Sequence, residues 1–211
     1  KVPRDMIAAG VRPIETPRIL RVLSAGDVVV SVEARLSGDP VWRADGSSPD
    51  LTTAQVDAMI AALAALADIP AVPAFRSLPI LPDEAPPPAD SAFEAALAGL
   101  VERRVRRFEA ALRAALPSIH ELADQTCERL RGLAPADARL VHGDLIAANV
   151  LTQGQSASAI LDFGFLTTAG DPAFDAAVAA SCFDMYGPRA RETEHDLDAV
   201  VMRALAKEPD Q

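Results

Sequence analysis

Aromatic residues are scarce in this 211-residue chain, at 4% of the total with one Trp and one Tyr. Since 50% of residues are apolar, the apolar mass falls to Ala and Leu, which favours closely packed helices. Cysteine is just as sparse. Cys127 and Cys182 are too few for a disulfide framework, so a reduced, cytoplasmic setting is expected. Positive charge is in deficit: 20 Lys and Arg against 30 Asp and Glu give a formal net charge of −10. That balance argues against general nucleic-acid binding. It suits a soluble acidic surface and is compatible with attracting a cationic substrate. No apolar run approaches transmembrane length and no basic-then-apolar segment opens the chain, so no membrane association is expected. A G-x-G-x-x-G phosphate loop is missing too. The length allows one large core or two small lobes.

What the chain does contain is concentrated in Val141–Gly164, VHGDLIAANVLTQGQSASAILDFG. Leu140-Val141 reads as a short strand. Val150-Leu151 and Ala159-Ile160-Leu161 read as the arms of a β-hairpin turning at the polar Gly154. Folding that hairpin brings Asp144, Asn149 and Asp162 to one of its ends. Two carboxylates and an amide in a small volume repel unless a positive group sits among them. Mg²⁺ is the natural occupant, being hard, oxygen-liganded and usually shared with substrate phosphates. Asn149 and Asp162 are the expected metal ligands. Asp144 is the expected catalytic residue, orienting and accepting the proton of an attacking hydroxyl. An ordinary Asp is a weak base near neutral pH, so alignment is its main task.

The spacing, His142-Gly143-Asp144-Leu145, then Asn149, then Asp162-Phe163-Gly164, follows the kinase pattern H-R-D-L-x-x-x-N with D-F-G. Gly143 stands where that pattern has Arg. With Gly170-Asp171-Pro172-Ala173-Phe174-Asp175, the stretch 140–186 resembles the aminoglycoside phosphotransferase family of small-molecule kinases, with a weaker echo at 17–43.

The resemblance implies an α+β, protein-kinase-like bilobal fold with a truncated β-rich small lobe and a mainly helical large lobe. Residues 1–33 would be the partial nucleotide-binding lobe and 34–211 the helical catalytic lobe, with a hinge near 33–38. It implies ATP and Mg²⁺ as cofactors and transfer of the γ-phosphate to a small-molecule hydroxyl. Adenine would lie against Val32, Glu33, Ala34 and Arg35, and Lys1 would contact the phosphates. His142 would be a hydrogen-bonded scaffold, and Asp171 and Asp175 would support the catalytic loop. The loop from Asp162 to Asp171 is too short for a regulatory activation segment, which favours a small acceptor over a protein. The missing glycine loop keeps a catalytically weak nucleotide-binding pseudokinase module as the alternative. No residue selects among aminoglycoside, macrolide, sugar or amino-alcohol acceptors.

Elsewhere, residues 17–23 and 28–32 read as a strand pair. A helix follows Thr52 or Thr53 as cap and runs to about Ala67. A proline-dense connector, ending in Pro86-Pro87-Pro88, reads as a surface linker. One long helix is expected over Phe93–Leu116 with Leu97, Val101, Val105, Phe108, Leu112 and Leu116 on its apolar face. Its arginines are expected to pair with Glu102 and Glu109 on a solvated face. Further helices are expected over 118–132, from Asp171-Pro172 onward with Asp171 as cap, and near 196–207.

Overall fold

The computed structural model describes residues 14–26, 28–42, 52–81, 83–88, 91–164 and 166–182. Lys1 and the helix expected near 196–207 lie outside the described residues.

The hairpin expected around Gly154 is the centre of the molecule. Strand β5, Val150–Gln153, pairs antiparallel with β6, Ser156–Ile160, in the register Val150 to Ile160. Gly154 takes φ +65° at the turn, a conformation that glycine adopts without a Cβ penalty. On the outer side of β5 lies β3, Asp39–Pro40, continued by a bond from Val41 N–H to Val150 O at 2.8 Å. The outer edge of β6 is met by Glu15, whose N–H and C=O bond Ser158 and Ile160 at 2.9 Å each.

Helix α1, Thr53–Ala67, covers this sheet. Thr52 and Gln55 form a reciprocal capping box at its start, as the Thr-Thr signal suggested. Its alanines let the helix approach closely. Ala58, Met59, Ala62 and Leu66 are buried in one cluster with Val41, Trp42, Leu145, Val150 and Ile160.

Strand β4, Arg139–Val141, does not join the hairpin. It pairs antiparallel with β7, Thr168–Gly170, Val141 lying opposite Thr168. Helix α6, Ala173–Ser181, follows β7. Pro172, rather than Asp171, is its boundary residue, but the Asp171 carboxylate still accepts the Ala173 N–H at 2.9 Å.

The expected 93–116 helix is two helices, α3 (Phe93–Arg107) and α4 (Glu109–Ala115), separated at Phe108. The cause is burial. α3 packs on α5, Ile119–Gly132, through Ala98, Val105, Ala123 and Cys127, and the Cys127 thiol donates to Ala98 O at 3.4 Å. Beyond Val105 no residue of the stripe is buried: Leu112 is half-buried, Phe108 is 47% exposed and Leu116 42%. Phe108 instead sits beneath the guanidinium groups of Arg104 and Arg107.

Those arginines also correct the pairing expected from sequence. Arg103 bonds Glu84 at 2.7 Å, Arg107 bonds Asp83 at 2.6 Å, and Arg104 pairs with both acids. Only Arg113 pairs with Glu109, at 3.5 Å, while Glu102 is taken by Arg131 at 2.6 Å. Arg104's hydrogen bond holds the Asp83 carboxyl below its ordinary range. The proline-dense connector is therefore clipped to α3 and is not a free linker. A short helix, α2 (Pro73–Arg76), lies within it.

The last pair of strands, β1 (Ile19–Ala25) and β2 (Val28–Glu33), forms a separate antiparallel hairpin. Its apolar side chains are open, Val29 at 69% and Ile19 at 60% exposure.

Candidate active site

The site is built on the loop between β4 and the 3₁₀ turn Ala147–Asn149. Leu145 and Ala147 anchor it by inserting into the core at 0% and 3% exposure. Asp144 and Asn149, on either side of these anchors, stay half-buried.

His142 is fully buried and uses both ring nitrogens. Nε2 lies 2.7 Å from Leu161 O, and Nδ1 accepts the Asp144 N–H at 3.2 Å. One neutral tautomer, protonated at Nε2, satisfies both bonds. The imidazole thus ties the Asp144 loop to the end of the hairpin. Its ring also packs on Phe163, centroids 4.6 Å apart.

Asp175, on α6, grips the same loop from the other side. Its carboxylate accepts the N–H of His142 at 2.8 Å and of Gly143 at 2.7 Å, with only 1% of the residue exposed. Burial pushes its carboxyl above the ordinary value, and the two backbone N–H bonds oppose that shift. The supporting role implied for Asp175 by resemblance corresponds to these two bonds.

Asn149 closes the arrangement. Its side-chain Nδ2 donates to Asp144 O at 2.9 Å, and its backbone O accepts the Leu161 N–H at 2.8 Å. Leu161 precedes Asp162. These bonds hold the segments carrying Asp144, Asn149 and Asp162 together at one end of the hairpin. Asp162 is exposed and takes φ +61°, a left-handed conformation sparsely used by non-glycine residues and concentrated at functional positions.

Gly143 has a reason that sequence alone did not reveal. It adopts φ +85°, and a Cβ there would lie 2.3 Å from Leu166 Cβ and 2.6 Å from Leu166 O. Leu166 is held in place by its N–H bond to Ile80 O at 2.8 Å, and Thr167 Oγ1 donates to His142 O at 3.0 Å. The clipped connector thus braces the loop through Ile80 and Leu166. Gly143→Ala is expected to lower stability by about 2 kcal/mol through strain and overpacking. Chemical denaturation would read this as a lower midpoint, and an unchanged midpoint would refute the close approach.

Val32, Glu33, Ala34 and Arg35 lie apart from this cluster. Ala34 N–H bonds Arg18 O at 2.9 Å, and Val32 is 42% exposed. Among the described residues no hydrogen bond, ion pair or ring contact joins Val32–Arg35 to Asp144, Asn149 or Asp162. The chain after them rests on the turn end of the hairpin, where Ser37 O accepts from Ser158 at 3.1 Å and from Gln153 at 3.3 Å.

The donors present fit Mg²⁺. With Nδ2 committed to Asp144, Asn149 offers its amide oxygen, and Asp162's carboxylate has no partner among the described residues. Two hard oxygen donors suit an ion that completes its shell with water and phosphate oxygens. No group of three or more His, Cys, Asp or Glu able to hold a metal occurs among the described residues, so an all-protein cage is not what they form.

A kinase-like phosphotransferase fold is what this arrangement defines. The chain belongs to the phosphotransferase enzyme family, whose model matches residues 7–206. Solved structures with the same fold include the macrolide 2'-phosphotransferase MphH from Brachybacterium faecium, at 16% identity and TM-score 0.54. That match covers 94% of this chain and 65% of MphH, so the chain spans just under two thirds of that enzyme's length. Aminoglycoside phosphotransferase APH(3'')-Id from Streptomyces rimosus, in complex with ADP and streptomycin, matches at 18% identity and TM-score 0.54 over 99% of this chain and 79% of that one. A thermostable mutant of APH(4)-Ia with AMP-PNP and hygromycin B matches at 15% identity and TM-score 0.61, covering 93% of this chain and 79% of that one. No curated protein sequence matches the chain. No helix among the described residues is long and apolar enough to cross a membrane.

Proposed function

We propose that this chain moves the γ-phosphate of ATP, with Mg²⁺, onto a hydroxyl of a small molecule of aminoglycoside type. The observation that carries the reading is the bonded set of Asp144, Asn149 and His142, with Asp162 left without a partner among the described residues at the same end of the hairpin. Asn149 Oδ1 and the Asp162 carboxylate would hold Mg²⁺, which supplies neutralisation of charge on the phosphate oxygens. Asp144 aligns the acceptor hydroxyl and takes its proton as the bond to phosphorus forms. His142 and Asp175 position the loop that carries it.

Nucleotide complexes of fold neighbours support the choice of cofactor: one holds ADP and another AMP-PNP. Under this reading Val32–Arg35 contact adenine and Lys1 the phosphates. Residues 1–33 then belong to the nucleotide lobe and 34–211 to the catalytic lobe. Both Cys127 and Cys182 are free thiols, in keeping with a reduced, cytoplasmic setting. The acidic net charge of −10 is compatible with a cationic acceptor.

The test is calorimetric titration of ATP with and without Mg²⁺, beside Asp162→Ala. Mg²⁺-dependent affinity is expected to fall by roughly 10–100-fold in the variant. Binding indifferent to both Mg²⁺ and Asp162 would replace this reading with the non-catalytic nucleotide-binding module.

A further inference from the structure

Away from the Asp144 loop, a cavity of 310 Å³ lies between the start of α3, the loop before β4 and strand β7. Its walls include Arg76, Ser91, Phe93, Glu94, Asp137 and Gly170. None of the residues assigned to phosphoryl transfer lines it. Glu94 is only 5% exposed, and its Oε1 has no hydrogen-bond partner among the described residues. A buried carboxylate oxygen left in that state is costly unless something in the cavity bonds it. Arg76, exposed at the mouth of the same cavity, has no hydrogen bond or ion pair among the described residues. Arg76 and Glu94 therefore face one cavity without pairing with each other, and the exposed Asp137 adds a second carboxylate to its wall, unpaired among the described residues.

Part of the wall is apolar. Phe93 packs edge-on against Phe174, centroids 5.7 Å apart, and presses on Gly170, where a Cβ would come within 2.6 Å of its ring. Pro87 and Pro88 add to that surface. Among the described residues no side chain caps the start of α3. An acceptor for a cation, a donor for an anion and an apolar wall describe a zwitterion with a hydrophobic side chain. The volume lies at the lower end of small-ligand sites, which run from about 300 to 1,000 Å³.

We propose that this cavity binds a free α-amino acid with an apolar side chain, its ammonium on Glu94 and its carboxylate on Arg76. The test is calorimetric titration with L-phenylalanine and L-leucine. Phenethylamine and 3-phenylpropanoate serve as probes that keep one charge each. Saturable binding of an amino acid is expected, weakened at least about tenfold for either single-charge probe and in Glu94→Gln or Arg76→Gln. Asp162→Ala should leave it unchanged, which separates this site from the phosphotransfer centre. Unfolding midpoints show whether Glu94→Gln still folds; if it does not, Arg76→Gln, at an exposed position, decides. Absence of saturable binding by both amino acids, equal binding of either single-charge probe, or full binding by a folded variant would each overturn the proposal.

Discussion

Asp144→Asn is expected to lower phosphoryl transfer by roughly 10³-fold while leaving nucleotide affinity nearly unchanged. The separation follows from how the loop is held. Asp144 contributes its backbone to the scaffold, its N–H bonding His142 Nδ1 and its C=O accepting from Asn149. Its carboxylate has no partner among the described residues, so an isosteric amide disturbs no bond that shapes the loop. What is lost is an acceptor for the hydroxyl proton and a negative charge that aligns the donor. ADP release, coupled to an optical readout and run with aminoglycoside and macrolide acceptors, measures the first effect. Calorimetry with Mg²⁺ and ATP measures the second. Turnover retained by the variant would remove Asp144 from the mechanism.

Asp175→Ala is expected to cost about 3–5 kcal/mol of stability, the largest effect of any single change considered. The carboxylate satisfies two backbone N–H groups, those of His142 and Gly143, in a position 1% exposed. Alanine leaves both donors without a partner where water does not reach. Asp175→Asn keeps one acceptor oxygen but turns an NH₂ toward the second donor, so its loss should be intermediate. The pH dependence has a definite sign. Burial raises the Asp175 carboxyl in the folded state above its ordinary value. From that ordinary value up through the raised one, the folded chain holds more protons than the unfolded chain, so this group's contribution to stability falls as pH rises. Denaturation midpoints across the acidic range should show that slope in the parent and lose it in Asp175→Asn. An identical slope in both would assign it to another group.

Much of the local structure could be read from residue order, because it depends on neighbours in the chain. The β5–β6 hairpin follows from two short apolar runs around Gly154. The start of α1 follows from Thr52, whose hydroxyl caps the first turn. The Asp144 and Asn149 spacing fits one loop and one 3₁₀ turn, so their convergence could be expected as soon as the hairpin was. The misreadings share one cause. The 93–116 stripe has a helical period throughout, yet period says nothing about whether a partner covers it, and α5 covers only the first part. The arginines of α3 have acids at suitable spacing on their own helix, but Asp83 and Glu84 reach them from a connector about twenty residues earlier.

The order of residues by itself determined the hairpin, the capped helix and the oxygen donors of the site, because each is set by contacts within a few positions. Only the tertiary structure decided that β4 pairs with β7, that Ile80 holds Leu166 against Gly143, and that the Asp175 carboxylate bonds the N–H groups of His142 and Gly143. Those contacts join residues 23 to 86 positions apart, and whether they form depends on burial and on competing partners, which no local pattern records.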